Sequence, residues 1–167
     1  MLMVHLDSIK SGLQFPLHQF YLDFFHRYQV VPAQFMPNSF RFISAFIAWC
    51  SDMGVDPSLD LFLHFFKVSR QNSDGFLRVS ARPGRRLFHG APTSFHDWKH
   101  QFFFLRFPEG RFLERWNGYS LKIGPPSLTD GLEEAINKLK KGGSDCESRP
   151  VNGSGPGRDV VFQTRTR

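Results

Sequence analysis

The stretch MPNSFRFISAFIAWC, from Met36 to Cys50, decides the fold. Two apolar stripes run along it and just beyond at helical spacing, Phe40, Ile43, Ile47 and Cys50 on one side and Phe42, Phe46, Trp49 and Met53 on the other. Nearly the whole circumference of this helix therefore calls for burial, as in a helix at the centre of a core. Asn38 or Ser39 is placed to cap its first turn, and Gly54 to end it. It is not a membrane span. The window from Phe40 to Cys50 falls far below the roughly 20 apolar residues that cross a bilayer, and Arg41 interrupts it.

Towards the N-terminus, Leu17, Phe20, Tyr21, Phe24 and Tyr28 repeat with the spacing of an amphipathic helix, and Pro16 is tolerated in a first turn. A first helix from Pro16 to about Gln29 is expected, separated from the central one by Pro32 and Pro37. On the other side, Asp56 and Pro57 form a cap-plus-proline start for a short helix through Leu59, Phe62 and Leu63. The period then falls to two. Phe66 and Val68 alternate with polar neighbours, Asn72, Ser73, Asp74 and Gly75 form a turn signal, and FLRVSA from Phe76 to Ala81 alternates again, as a hairpin does. A third strand is expected at Gln101 to Phe107, after one or two helical turns between Ser94 and His100 that carry Trp98.

The fold class that follows is α+β: a helix-rich single domain with three main helices and a small antiparallel sheet, over residues 1–123. Gly124, Pro125 and Pro126 mark its edge. A linker and a weak helix occupy 124–142, with Thr129 or Asp130 as cap and Ile136 and Leu139 on its apolar side, and the Gly-, Ser-, Pro- and Arg-rich tail 143–167 is expected to be disordered.

The 167 residues include 20 Phe, 3 Trp and 3 Tyr, enough aromatic area for a substantial core. Nineteen of the Phe lie between Phe15 and Phe112, so the core must lie there too. The net charge of +6 is compatible with a nucleic acid or an acidic protein surface as partner. Most of it belongs to the globular part: 14 Lys and Arg against 9 Asp and Glu up to Ile123, and 7 against 6 beyond. Cys50 and Cys146, one in an apolar stretch and one in a polar tail, do not make a disulfide framework, and MLMVHLDSIK lacks the basic region and apolar run of a secretory signal. An intracellular protein, cytoplasmic or nuclear and not secreted, is expected.

No catalytic constellation is legible, so no catalytic residue, metal site, cofactor or small-molecule substrate is assigned. His96 and His100 stand four apart with His89 nearby, but no Cys or carboxylate completes a ligand set at a familiar spacing. Pro83 and Gly84 before Arg85 and Arg86 do not make a phosphate-binding loop, and no nucleophile elbow is present. Asp52, Asp56 and Asp60 cluster as a metal-dependent nuclease or transposase fragment would require, yet Asp56 reads as a cap and Asp60 as first-turn charge. The basic stretch is more informative. Lys67, Arg70, Arg78, Arg82, Arg85 and Arg86 face a single acid, Asp74, and a hairpin would gather them into a positive ridge able to hold phosphates. The alternative for such a ridge is a charged strand edge that discourages aggregation. Self-association is a further expectation, because the central helix offers more apolar surface than so short a chain readily covers.

The runs FPLHQFYLDFF (Phe15 to Phe25), MPNSFRFISAFIAWC, FKVSR (Phe66 to Arg70) and DWKHQFFFL (Asp97 to Leu105) occur in an order that resembles a plant domain family, the gypsy-type transposon domain. The resemblance covers about residues 12–117 and rests on packing and capping residues. It implies a plant protein derived from a long-terminal-repeat retrotransposon, acting as a non-enzymatic structural or interaction module. Relatives of this kind continue into long charged helical regions, which reads the present chain as a fragment or a decayed copy; a non-functional remnant is the corresponding alternative. Nothing in the residues resembles a reverse transcriptase, integrase or protease site.

Overall fold

Phe24, Phe35, Phe40, Phe46, Phe62 and Phe66 are fully buried and meet ring to ring, with centroid separations of 5.4 Å for Phe24–Phe35, 5.6 Å for Phe24–Phe62, 5.2 Å for Phe46–Phe62 and 4.8 Å for Phe62–Phe66. Tilted, edge-on and stacked pairs of this kind add about 0.5–1.5 kcal/mol each beyond the area they bury. The computed structural model describes residues 1–71, 75–88, 97–106 and 124–147, the last five by backbone alone.

The first helix of the core, α2 (Gln19–Tyr28), follows a short α1 (Leu6–Lys10). It begins three residues later than Pro16: His18 is extended, and its Nδ1 accepts from the Phe20 amide at 3.1 Å. The central helix α3 (Asn38–Asp52) buries Phe40, Ile43, Phe46 and Cys50, while Phe42, Ile47 and Trp49 are half-buried on its flanks. Neither Asn38 nor Ser39 caps it. The Ser39 and Phe40 amides donate to the Met36 and Pro37 carbonyls, so the first turn is already closed and needs no side-chain acceptor. Helix α4 (Leu59–Phe65) is capped by Ser58, whose Oγ accepts from the Leu61 amide at 3.2 Å; Asp56, the expected cap, lies exposed in the connection two residues earlier.

From α4 the chain passes without a loop into β2 (Phe66–Gln71), which pairs antiparallel with β3 (Phe76–Ala81). The expected third strand is present as β4 (Phe102–Leu105), but it does not join this hairpin. It pairs antiparallel with β1 (Leu2–His5), a strand the sequence reading does not contain, so the described residues form two separate two-stranded sheets. A four-residue strand is too short to show a period, and its partner lies about a hundred residues away. Trp98, in a 3₁₀ turn (Trp98–His100), is buried between the two sheets, edge-on to His5 of β1 at 4.7 Å and to Phe76 of β3 at 5.0 Å.

Helix α5 (Asp130–Glu147) runs five residues past its expected end at Gly142. It is docked: Ile136 and Leu139 are buried, it packs against α4, and Trp49 Nε1 of α3 donates to the Leu139 carbonyl at 3.2 Å. The Trp49 and Met53 side of α3 thus packs against the chain's own helix, with Gly142 lying close against both. Among the described residues no helix is long and apolar enough to cross a membrane. The turn residues Asn72 to Asp74, the expected helical residues from Ser94 to His96, the end of the expected strand at Phe107 and the tail from Ser148 lie outside the described residues.

Candidate nucleic-acid interface

The register of the hairpin decides what its cations can do. Lys67 stands opposite Ser80, Ser69 opposite Arg78, and Gln71 opposite Phe76. Since facing residues share a side of the sheet, Lys67 and Arg78 lie together on one face, and both are exposed. The other face carries Phe66, Val68 and Arg70 opposite Ala81, Val79 and Leu77, and it packs on the core except at Arg70, which is exposed at the strand's end. The expected ridge therefore divides: Arg70 points away from Lys67 and Arg78.

Arg82 and Arg85 have a different occupation. The Arg82 Nε donates to the carbonyls of Leu63 at 2.8 Å and Phe66 at 3.1 Å, and the Arg82 amide donates to the Phe65 carbonyl at 2.8 Å. Arg85 Nη1 donates to the His64 carbonyl at 3.3 Å and approaches His64 Nδ1 at 3.4 Å. These are the carbonyls that the last turn of α4 leaves without intrahelical donors, and cations at a helix C-terminus also meet its dipole favourably. Both side chains are half-buried and brace the hairpin to the helix. Burial lowers the His64 pKa, and the charges of Arg85, Lys140 and Arg82 lower it further, so the site favours the neutral ring. Arg86 is exposed, and among the described residues neither it nor Lys67 takes part in an ion pair; Arg78 Nε donates to Ser69 Oγ at 3.4 Å.

The hairpin is fixed to the core from its far side as well. Ser39 Oγ accepts from the Val79 amide at 3.0 Å, and the Met36 amide donates to the Leu77 carbonyl at 2.8 Å. The face carrying Lys67 and Arg78 is therefore presented on a rigid support.

Other candidate groups do not converge. Asp52, Asp56, Asp60 and His100 are each exposed, and among the described residues no three His, Cys, Asp or Glu side chains are grouped to hold a metal ion. His89 and His96 lie outside the described residues. A groove between residues 10–18 and the Arg41-to-Ser51 side of α3 has its polar centre satisfied internally: the Tyr21 hydroxyl donates to Ser44 Oγ at 2.6 Å, and Ser44 donates to the Gly12 carbonyl at 2.7 Å. Burial raises the Tyr21 pKa and pushes the Cys50 thiol up to about 12, so neither ionises readily.

Two exposed aromatics escaped the sequence reading. Phe102 is 49% exposed and Phe104 58%, on the face of β4 turned away from the core. Three consecutive Phe in a strand must place at least one on the solvent side, and that was the available signal.

The class of protein is thus a small α+β module with an aromatic core, a braced hairpin and a docked C-terminal helix. Residues 3–70 match the family model described as "Putative gypsy type transposon", so over that segment the chain is similar to the family whose motifs it resembles. The match runs from β1 to the end of β2 and stops short of β3 and β4. A search of curated proteins and a search of solved structures each find no match.

Proposed function

We propose that this domain is a non-enzymatic interaction module of a plant retrotransposon-derived protein, and that it holds nucleic acid through the outward face of the β2–β3 hairpin. The observation that carries this reading is the placement of Lys67 and Arg78 on one solvent face, with Arg86 exposed beyond the strand. Exposed cations spread over one face suit contact with the phosphate backbone, which needs charge rather than a shaped pocket. Two of the six basic residues, Arg82 and Arg85, are construction rather than contact on this reading. A protein working on nucleic acid belongs inside the cell, in nucleus or cytoplasm, where the buried Cys50 thiol has no oxidant to meet.

The test is binding of the purified chain to labelled nucleic acid across a salt series, beside a triple variant Lys67→Ala, Arg78→Ala, Arg86→Ala that leaves Arg82 and Arg85 in place. Affinity that falls with salt, with a slope of log K on log salt shallower by about 2–3 in the variant, is expected. A folded protein that binds nothing at low salt refutes the reading.

A further inference from the structure

Ring contacts through Trp98 link the two sheets. Phe76 belongs to the hairpin face that carries Lys67 and Arg78; its ring meets Trp98, and Trp98 meets His5. His5 pairs with Phe102, and Met3 with Phe104, so Phe102 and Phe104 share the face of the second sheet from which His5 meets Trp98. The rings form an unbroken row: Phe76 to Trp98 at 5.0 Å, Trp98 to His5 at 4.7 Å, His5 to Phe102 at 6.5 Å, Phe102 to Phe104 at 5.8 Å. Its inner members are covered, and its last two are among the most exposed apolar side chains of the described residues.

Charge frames the row. Arg106 is exposed two residues past Phe104, Lys99 lies 5.0 Å above the Phe76 ring, and Lys67 and Arg78 lie on the Phe76 face of the hairpin. The acids near the row among the described residues are Asp97, which is exposed, and Asp7, whose charge acts on His5 and which pairs with Lys10. An apolar protein partner would ask for aliphatic surroundings and complementary acids. Flat rings set among cations suit a polyanion whose bases have free π-faces.

We infer that Phe102 and Phe104 are a stacking platform for unpaired bases, so that the ligand of this surface is a single-stranded nucleic acid whose phosphates run past Arg106 and the hairpin cations. The inference rests on the nucleic-acid reading above and makes it specific: duplex bases are stacked on one another and have no face to offer, whereas bases of a single strand stack on aromatic rings with little regard to sequence.

The experiment compares single-stranded RNA, single-stranded DNA and duplex DNA of one sequence, bound to the full chain, to Phe102→Ala/Phe104→Ala, and to Phe102→Leu/Phe104→Leu, which keeps apolar area but removes the rings. Circular dichroism and a urea midpoint confirm that each variant is folded. The expected result is tighter binding of single strands than of duplex, a loss of about tenfold per ring in both aromatic variants, and no change in duplex binding or in the salt slope. Preference between RNA and DNA then identifies which single strand is favoured. Single-strand affinity unchanged in both aromatic variants overturns the platform while leaving the hairpin reading standing, since the wild-type chain still binds. Rescue of affinity by Leu overturns it too, because area alone then suffices. Concentration-dependent self-association lost in the Ala pair, with nucleic-acid binding intact, reassigns the face to contacts between copies of the chain and likewise overturns the proposal. Failure of the wild type to bind any of the three ligands removes both readings together.

Discussion

A β-carbon on residue 12 has nowhere to go. Gly12 has φ of +100°, a region side chains rarely adopt, and an ideal Cβ there would lie 2.6 Å from Ser44 Oγ and 2.8 Å from Ser44 Cβ. Ser44 cannot step aside without surrendering the bonds that link Tyr21 to the Gly12 carbonyl. Gly12→Ala is expected to cost about 1–3 kcal/mol, read as a lower urea midpoint at unchanged slope. The sequence offered Gly12 as one glycine among fourteen, with no sign of its neighbour 32 residues on. Caps were misread for a related reason. Asp56, Ser58, Asn38, Ser39 and His18 all carry a suitable acceptor, and only backbone geometry selects among them.

At the scale of elements, strand parity was legible and helix ends were not. Alternation in FKVSRQ and FLRVSA, with the turn between, marks the hairpin, but the register that puts Lys67 with Arg78, and Arg70 on the face away from Arg78, is not written in either strand. That Arg82 and Arg85 would be spent on the end of α4 depends on how closely the returning strand passes that helix, which no local pattern records. The joint between α4 and the hairpin should therefore be sensitive to Arg82 and indifferent to Lys67. Arg82→Ala leaves the Leu63 and Phe66 carbonyls without their charged donor, and a loss of about 1.5–3 kcal/mol is expected. Arg82→Lys keeps the charge but not the planar geometry and should recover only part of it, whereas Lys67→Ala leaves the urea midpoint within about 0.5 kcal/mol of wild type.

Across the whole molecule, two buried imidazoles make stability depend on pH. Burial lowers the pKa of His5, opposed by the backbone of Ala33 and Trp98 and by the charge of Asp7, and lowers that of His64, reinforced by three nearby cations. In each case the folded chain prefers the neutral ring, so the unfolded chain binds more protons between the lowered value and the ordinary 6.5. Stability from this source is full above about pH 6.5 and drains away as the pH falls through the folded values. Urea midpoints measured from pH 8 down to pH 5 should decline. His64→Gln should flatten the curve, and a decline of undiminished size in that variant would mean the dependence arises elsewhere. Helices and core could be foreseen because the aromatic pattern is dense and local. The arrangement of two sheets around Trp98 could not, since it depends on a pairing between the first residues of the chain and residues near 105.

That pairing has a consequence for synthesis. Residues 2–5 emerge from the ribosome about a hundred residues ahead of residues 102–105, an interval of roughly 5–20 s at ordinary translation rates. Throughout it, residues 2–5 lack the partner that pairs with them in the fold, and their backbone N–H and C=O groups are open to any other strand that passes. A message broken anywhere between Arg70 and Gln101 encodes the whole family-matched segment, yet its product never closes that edge. A chain cut there is expected to aggregate through that edge even though it keeps every residue of the matched segment.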